Sequence, residues 1–195
     1  ALGTAAVMTN HRVSLGMGLG WMRDEFALLG EDFDTRAARA EEMIEVMRKL
    51  WTGEMVEHHG RFYDFGPLNM RPAVEKPIPI IVGGNGRRVT AGYAITYADE
   101  LNYVFIGPDE IAERMVEVRA RCEAEGRDPA TLRFSLYSRD EDFREAGQAR
   151  VDLLGSFAAI GLDRIICFPT RWSPTLETQA AFAEDCLAAG LTLSV

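Results

Sequence analysis

The chain has 195 residues, 47% of them hydrophobic and 26% charged, an ordinary globular composition that can bury a core. Its 30 acidic against 21 basic residues leave a net charge of -9, which excludes the basic stripe that nucleic-acid binding needs. No apolar run reaches the roughly 18 residues of a membrane span, no basic-then-apolar leader opens the chain, and Cys122, Cys167 and Cys186 are too scattered for zinc or a disulfide scaffold. A reducing cytoplasm, with no membrane partner, is therefore expected.

In chain order, Val13 and Leu15 alternating with Ser14 predict a strand near residues 12–18 that runs into glycines. Asp34 and Thr35 offer N-caps to a helix whose Ala40, Met43, Ile44, Met47, Leu50 and Trp51 recur at helical spacing, with Lys49 in its last turn and Gly53 beyond. Met55-Val56 and Phe62-Tyr63 flank His59-Gly60 as a short hairpin. Residues 66–79, with four prolines, read as extended connector, so 54–79 is an excursion between regular units.

From Pro79 a unit repeats. Ile80-Ile81-Val82 predicts a strand, followed by a helix to Ala98, a strand near 101–105, and a helix capped by Asp109 and carrying Ile111, Met115, Val118 and Cys122. Strands at 134–137 and 164–168 follow, each with its own helix. Five strands that each lead into a helix imply parallel pairing, either in a doubly wound open sheet or in a (β/α)8 barrel; spacing does not choose between them.

In both folds the loops at the carboxyl ends of the strands build the site. Two glycine segments lie there. Gly16-Met17-Gly18-Leu19-Gly20-Trp21 either admits a flat ligand close to the backbone or keeps a strand end slim for packing. Val82-Gly83-Gly84-Asn85-Gly86-Arg87-Arg88 joins a strand end to a helix start, where free N–H groups suit a phosphate and an arginine adds a charge-assisted contact. Adjacent His58 and His59 point to opposite faces of a strand and are not expected to hold a metal. Asp24 and Glu25 stand near the first segment as solvated loop acids or substrate contacts, and Arg36 and Arg39 open a helix against its dipole, which points to an anionic partner. No nucleophile paired with a base is legible, and the catalytic residues are unassigned.

Arg12 through Trp21, Glu25-Phe26, Gly30, Phe33-Asp34-Thr35-Arg36, Leu50-Trp51-Thr52-Gly53 and the run from Pro79 to Gly84, in that order and spacing, resemble the luciferase-like monooxygenase superfamily, above all its deazaflavin branch. The resemblance implies a (β/α)8 TIM barrel and a flavin-type oxidoreductase or monooxygenase that uses coenzyme F-420 or FMN on a small organic substrate, by hydride transfer or oxygen insertion. It places Gly83, Gly84, Asn85, Gly86 and Arg87 at the cofactor phosphate, Gly18, Gly20 and Trp21 along the cofactor cleft, and the Arg36 region at a second phosphate contact. The branch's sugar-phosphate dehydrogenases carry a glutamate where this chain has Trp21. A whole barrel typically needs about 250 residues, so residues 1–195 are expected to be the C-terminal part of one barrel domain, with three N-terminal units absent. The family's catalytic acid or base, often a histidine, is expected in those units, and a shortened noncatalytic flavin-binding protein is the alternative. Open barrel edges predict association, most simply as a dimer.

Overall fold

The predicted strand at 12–18 narrows to β1 (Leu15–Met17), which pairs in parallel with β4 (Ile80–Gly83) in the register Leu15↔Ile80, Gly16↔Ile81 and Met17↔Val82. This computed structural model describes residues 1–139, 143, 146–168 and 175–193. The chain divides into two compact units, Ala1–Asp99 and Glu100–Val195.

In the first unit, α1 (Leu2–Met8) precedes β1, and α2 (Arg23–Leu28) and a 3-10 turn (Phe33–Thr35) lead into α3 (Arg36–Trp51). The capping expectation shifts here. The Asp32 carboxylate accepts the Asp34 N–H at 2.9 Å and starts the turn, while Thr35 occupies the N-cap position of α3 without a side-chain cap. Apolar spacing puts Ile44, Val46 and Trp51 of α3 inside, and Trp51 joins Ala6 and Ile78 in a cluster against which Leu15 and Met47 pack. Arg48 and Lys49 suit the negative end of the helix dipole.

The hairpin forms, but it extends further than the sequence suggests. β2 (Val56–His59) pairs antiparallel with β3 (Asp64–Leu68), so the turn lies at 60–63 and the second strand runs through Pro67 into what reads as connector. In a two-stranded sheet, the missing N–H of Pro67 can face away from the ladder. After β4 comes α4 (Val89–Tyr97), tied to α3 by Tyr93 and Tyr97, whose hydroxyls donate to the Ala37 carbonyl and the Glu41 carboxylate.

In the second unit, β5 (Glu100–Val104), β6 (Arg133–Arg139) and β7 (Arg164–Phe168) alternate with α5 (Pro108–Ala124), α6 (Gln148–Ala159) and α7 (Leu176–Ala188), and β5–β6 and β6–β7 both pair in parallel. Asp109 is not the cap of α5. Gly107 is, Pro108 opens the helix, and Asp109 sits in its acidic first turn. Leu101, Tyr103, Phe134 and Leu136 are buried on one face of the sheet, where Arg119 of α5 lies 5.3 Å from the Phe134 ring centre. Arg150 and Asp185, 2.6 Å apart, tie α6 to α7.

Each unit repeats one joint. The Asp99 carboxylate accepts the Ile80 N–H at 2.8 Å, and the Asp163 carboxylate accepts the Phe134 N–H at 2.7 Å. In both, an aspartate just before one strand satisfies an amide at the start of the strand before it, which is what a repeated parallel β/α unit requires of its starts.

Candidate active site

The Met17↔Val82 register sets the two glycine segments side by side, because Gly18 and Gly83 are the next residues on paired parallel strands. A Cβ on Gly83 would meet only the Met17 carbonyl, at 3.9 Å, and one on Gly18 would meet nothing within 4 Å, so both strand ends are open to a ligand. Gly84 has φ +130°, a conformation L side chains avoid, and a Cβ on Gly86 would stand 2.7 Å from the Thr90 hydroxyl. Thr90, in the first turn of α4, thus fits the glycine loop closely; a threonine two places past the Asn85-Gly86-Arg87-Arg88 turn was the available sequence signal for it.

Among the described residues no side chain caps α4, whose N-cap residue is Arg88. Asn85 is half-buried and Arg87 exposed on this loop. Backbone N–H groups at a helix start, beside an arginine, form a cradle that fits a phosphate.

Gly20 needs its glycine: φ is +77°, and a Cβ would stand 2.8 Å from the Phe26 ring. Phe26 meets Phe33 edge-on at 5.2 Å, and the Arg36 and Arg23 guanidiniums lie 3.6 and 4.4 Å from the Phe33 ring centre. Trp21 is 81% exposed, so it flanks the strand end without packing on it.

Of the two arginines at the start of α3, Arg39 has an acidic partner in the chain, whereas the buried Nε of Arg36 has no hydrogen-bond partner among the described residues. Arg39 pairs with Glu31 and donates to the Asp32 carbonyl, and Arg36 donates to the Phe33 carbonyl at 2.8 Å. Asp24 and Glu25 lie in the first turn of α2, where acidic side chains complement the dipole. His58 is buried against Glu42, whereas His59 is exposed and paired with Asp64, so the two rings do face opposite ways. A cavity of about 940 Å³ in the second unit lies between β7, α6 and α7; Phe143, Leu154, Phe157 and Phe182 line it, and the charge of its Arg150 is matched by Asp185.

An FMNH(2)-dependent dimethylsulfone monooxygenase of Pseudomonas putida is 28% identical over 129 residues, 64% of this chain and 36% of that protein. An F420-dependent glucose-6-phosphate dehydrogenase of Amycolatopsis mediterranei (strain U-32) is 34% identical over 97 residues, 48% of this chain and 29% of that protein. The solved structure of an F420-dependent secondary alcohol dehydrogenase in complex with an F420-acetone adduct superposes with a TM-score of 0.79 at 17% identity, covering 96% of this chain and 72% of that one. The chain matches less than half the length of these curated relatives, and its fold is that of part of a (β/α)8 barrel. The description luciferase-like monooxygenase matches residues 1–140, and the chain belongs to that family.

Proposed function

We propose that the chain is the phosphate-holding part of a flavin-type oxidoreductase, with the C-terminal units of a single barrel domain, and that it binds coenzyme F-420 or FMN and acts on a small organic substrate. The observation that carries this reading is the pairing of β1 with β4, which sets Gly18 beside Gly83 just ahead of the uncapped start of α4. Gly83, Gly84, Asn85, Gly86 and Arg87 would hold the phosphate, and Gly18, Gly20 and Trp21 would border the ring. When bound, the cofactor supplies hydride transfer, as a deazaflavin, or oxygen activation, as reduced FMN; the protein's part is to bind, orient and shield it. Relatives that use each cofactor support both options. Trp21 stands where a glutamate marks sugar-phosphate oxidation, so another substrate class is assigned. The noncatalytic alternative keeps the same site and differs only in lacking turnover. A cytoplasmic homodimer completes the proposal, the free thiols of Cys122 and Cys186 suiting a reducing compartment.

Gly83→Asp tests the site directly. Its side chain has room, and its carboxylate would repel a phosphate. Fluorescence titration with coenzyme F-420 and with FMN should show binding at least about tenfold weaker, or about 1.4 kcal/mol, while Gly83→Asn, of equal shape and no charge, keeps most of the affinity. Equal affinity of the aspartate variant and the parent would move the phosphate elsewhere.

A further inference from the structure

Lys49, in the last turn of α3, reaches the hairpin: its Nζ lies 3.3 Å from Nδ1 of His58. An ammonium only donates, so the imidazole offers a lone pair there and carries its proton on Nε2, 3.1 Å from the Glu42 carboxylate. Lysine, histidine and glutamate thus stand in a row. The ring is buried and stacked on Phe65 at 6.0 Å, while Lys49 at one end of the row is exposed.

The row is held firmly. The N–H groups of Arg61, Phe62 and Tyr63 fix the Glu42 carboxylate at 2.8–3.1 Å, and a Cβ on Gly60 would stand 2.5 Å from His58 Nε2, so the turn closes tightly on both groups. Among the described residues, Glu42 and Lys49 are the charged groups that meet the ring, and no carboxylate pairs with Lys49. His59, next along β2, turns away to Asp64 at 2.7 Å, and Arg48 to the Tyr97 carbonyl at 2.8 Å.

Charge alone does not call for lysine at this position. Lys49 and Lys76 are the two lysines among 21 basic side chains, and arginine, which the chain uses everywhere else, would suit the helix dipole equally. What arginine cannot do is give up its proton. An amine beside a neutral imidazole, whose far nitrogen is held by a carboxylate, is the arrangement that activates a nucleophile.

We infer that Lys49 is an acyl-acceptor site, a nucleophilic amine that takes an acyl group from a thioester. The Lys49 ammonium passes one proton to His58 Nδ1, and Glu42 stabilises the imidazolium that forms. The Nζ lone pair then forms the N–C bond, the C–S bond breaks, and the thiolate leaves with its electron pair. A second amine proton goes to the thiolate and His58 returns its own to water, so the products are an amide and a thiol. The site needs no flavin cofactor and is independent of the proposed function.

The test treats the 195-residue chain with the acetyl thioester of N-acetylcysteamine, an uncharged probe, and follows Lys49 and Lys76 separately by peptide mass spectrometry. Lys76, also exposed, is the internal control. Lys49 should be acetylated at least about tenfold faster. Its rate should also climb less steeply with pH than that of Lys76, because His58 and not the solvent takes its proton. His58→Gln keeps a donor for Glu42 and removes the base, and should bring Lys49 down to the Lys76 rate while the Arg61, Phe62 and Tyr63 amide signals show the turn in place. The inference is overturned if the parent acetylates both lysines equally fast, if their two pH profiles are parallel, or if His58→Gln, with those amides in place, reacts as the parent does. The two measurements on the parent decide the matter if the variant fails to fold.

Discussion

Glu42 and His58 meet at 3.1 Å beneath the turn of the β2–β3 hairpin. The Glu42 carboxylate also accepts the N–H groups of Arg61, Phe62 and Tyr63 at 2.8–3.1 Å, and Lys49 Nζ lies 3.3 Å from His58 Nδ1. A carboxylate only accepts and an ammonium only donates, so the arrangement selects neutral His58 with its proton on Nε2. One side chain of α3 thereby holds the whole turn.

Acid should loosen this hairpin. Burial raises the Glu42 pKa, but the Tyr63 N–H, His58, and the Phe62 and Arg61 N–H groups together outweigh it and hold the group below the usual carboxylate range. A depressed folded-state value means that the stabilisation is complete above the unfolded carboxylate pKa and is lost as pH falls through the lower, folded one. Denaturation midpoints of the parent should therefore fall across the acid range, and those of Glu42→Gln should be lower at neutral pH and flatter with pH. Parallel curves for the two proteins would show that the latch contributes nothing.

Gly20→Ala should cost about 1–2 kcal/mol, because the residue must remain left-handed. Its Cβ also presses on Phe26, which meets Phe33 edge-on beside Arg36. Thermal melting checks the cost. A tryptophan fluorescence change at Trp21 should accompany it.

Leu136→Ala should destabilise the second unit by about 2–5 kcal/mol, since the side chain is fully buried and the sheet that holds it resists collapse into the gap. Urea unfolding should show a lower midpoint. A cost below about 1 kcal/mol would mean that the core repacks freely.

The Glu100 and Arg164 variants should be unequal. Glu100 is 1% exposed and Arg164 43%, so removing the arginine leaves a buried carboxylate with only Ser135 and the more distant Arg133, at 3.6 Å, whereas removing the charge of the glutamate leaves a guanidinium that water can reach. Arg164→Met should therefore lower the unfolding midpoint more than Glu100→Gln does, by up to about 3 kcal/mol. The reverse order in paired denaturation curves would locate the charge burial elsewhere.

Association is expected of the 195-residue chain. Among the described residues, β1 pairs only with β4 and β7 only with β6, so each leaves one edge of backbone groups to be covered. Sedimentation velocity should show dimers or larger species. A monomer that stays folded on dilution would show that the edges are protected within the chain.

The sequence by itself determined the order and spacing of the units. Ile80-Ile81-Val82, the run from Arg164 to Phe168 and the helical repeat of Ile111, Met115, Val118 and Cys122 are local patterns, because burial on one face imposes a period on neighbouring residues. Both glycine segments were legible for the same reason: a strand end followed by glycines and a helix start is a local signal.

Only the tertiary structure decided what lies beside what. The Met17↔Val82 register brings together glycines 65 positions apart, and Glu42 reaches a turn about 20 residues downstream, relationships that no local period encodes. It also decided that Arg39 is matched by Glu31, and that Phe105 takes a left-handed conformation. Phenylalanine carries no sequence signal for a left-handed φ; the conformation persists because the surrounding sheet and the Tyr137 and Arg139 contacts hold it there.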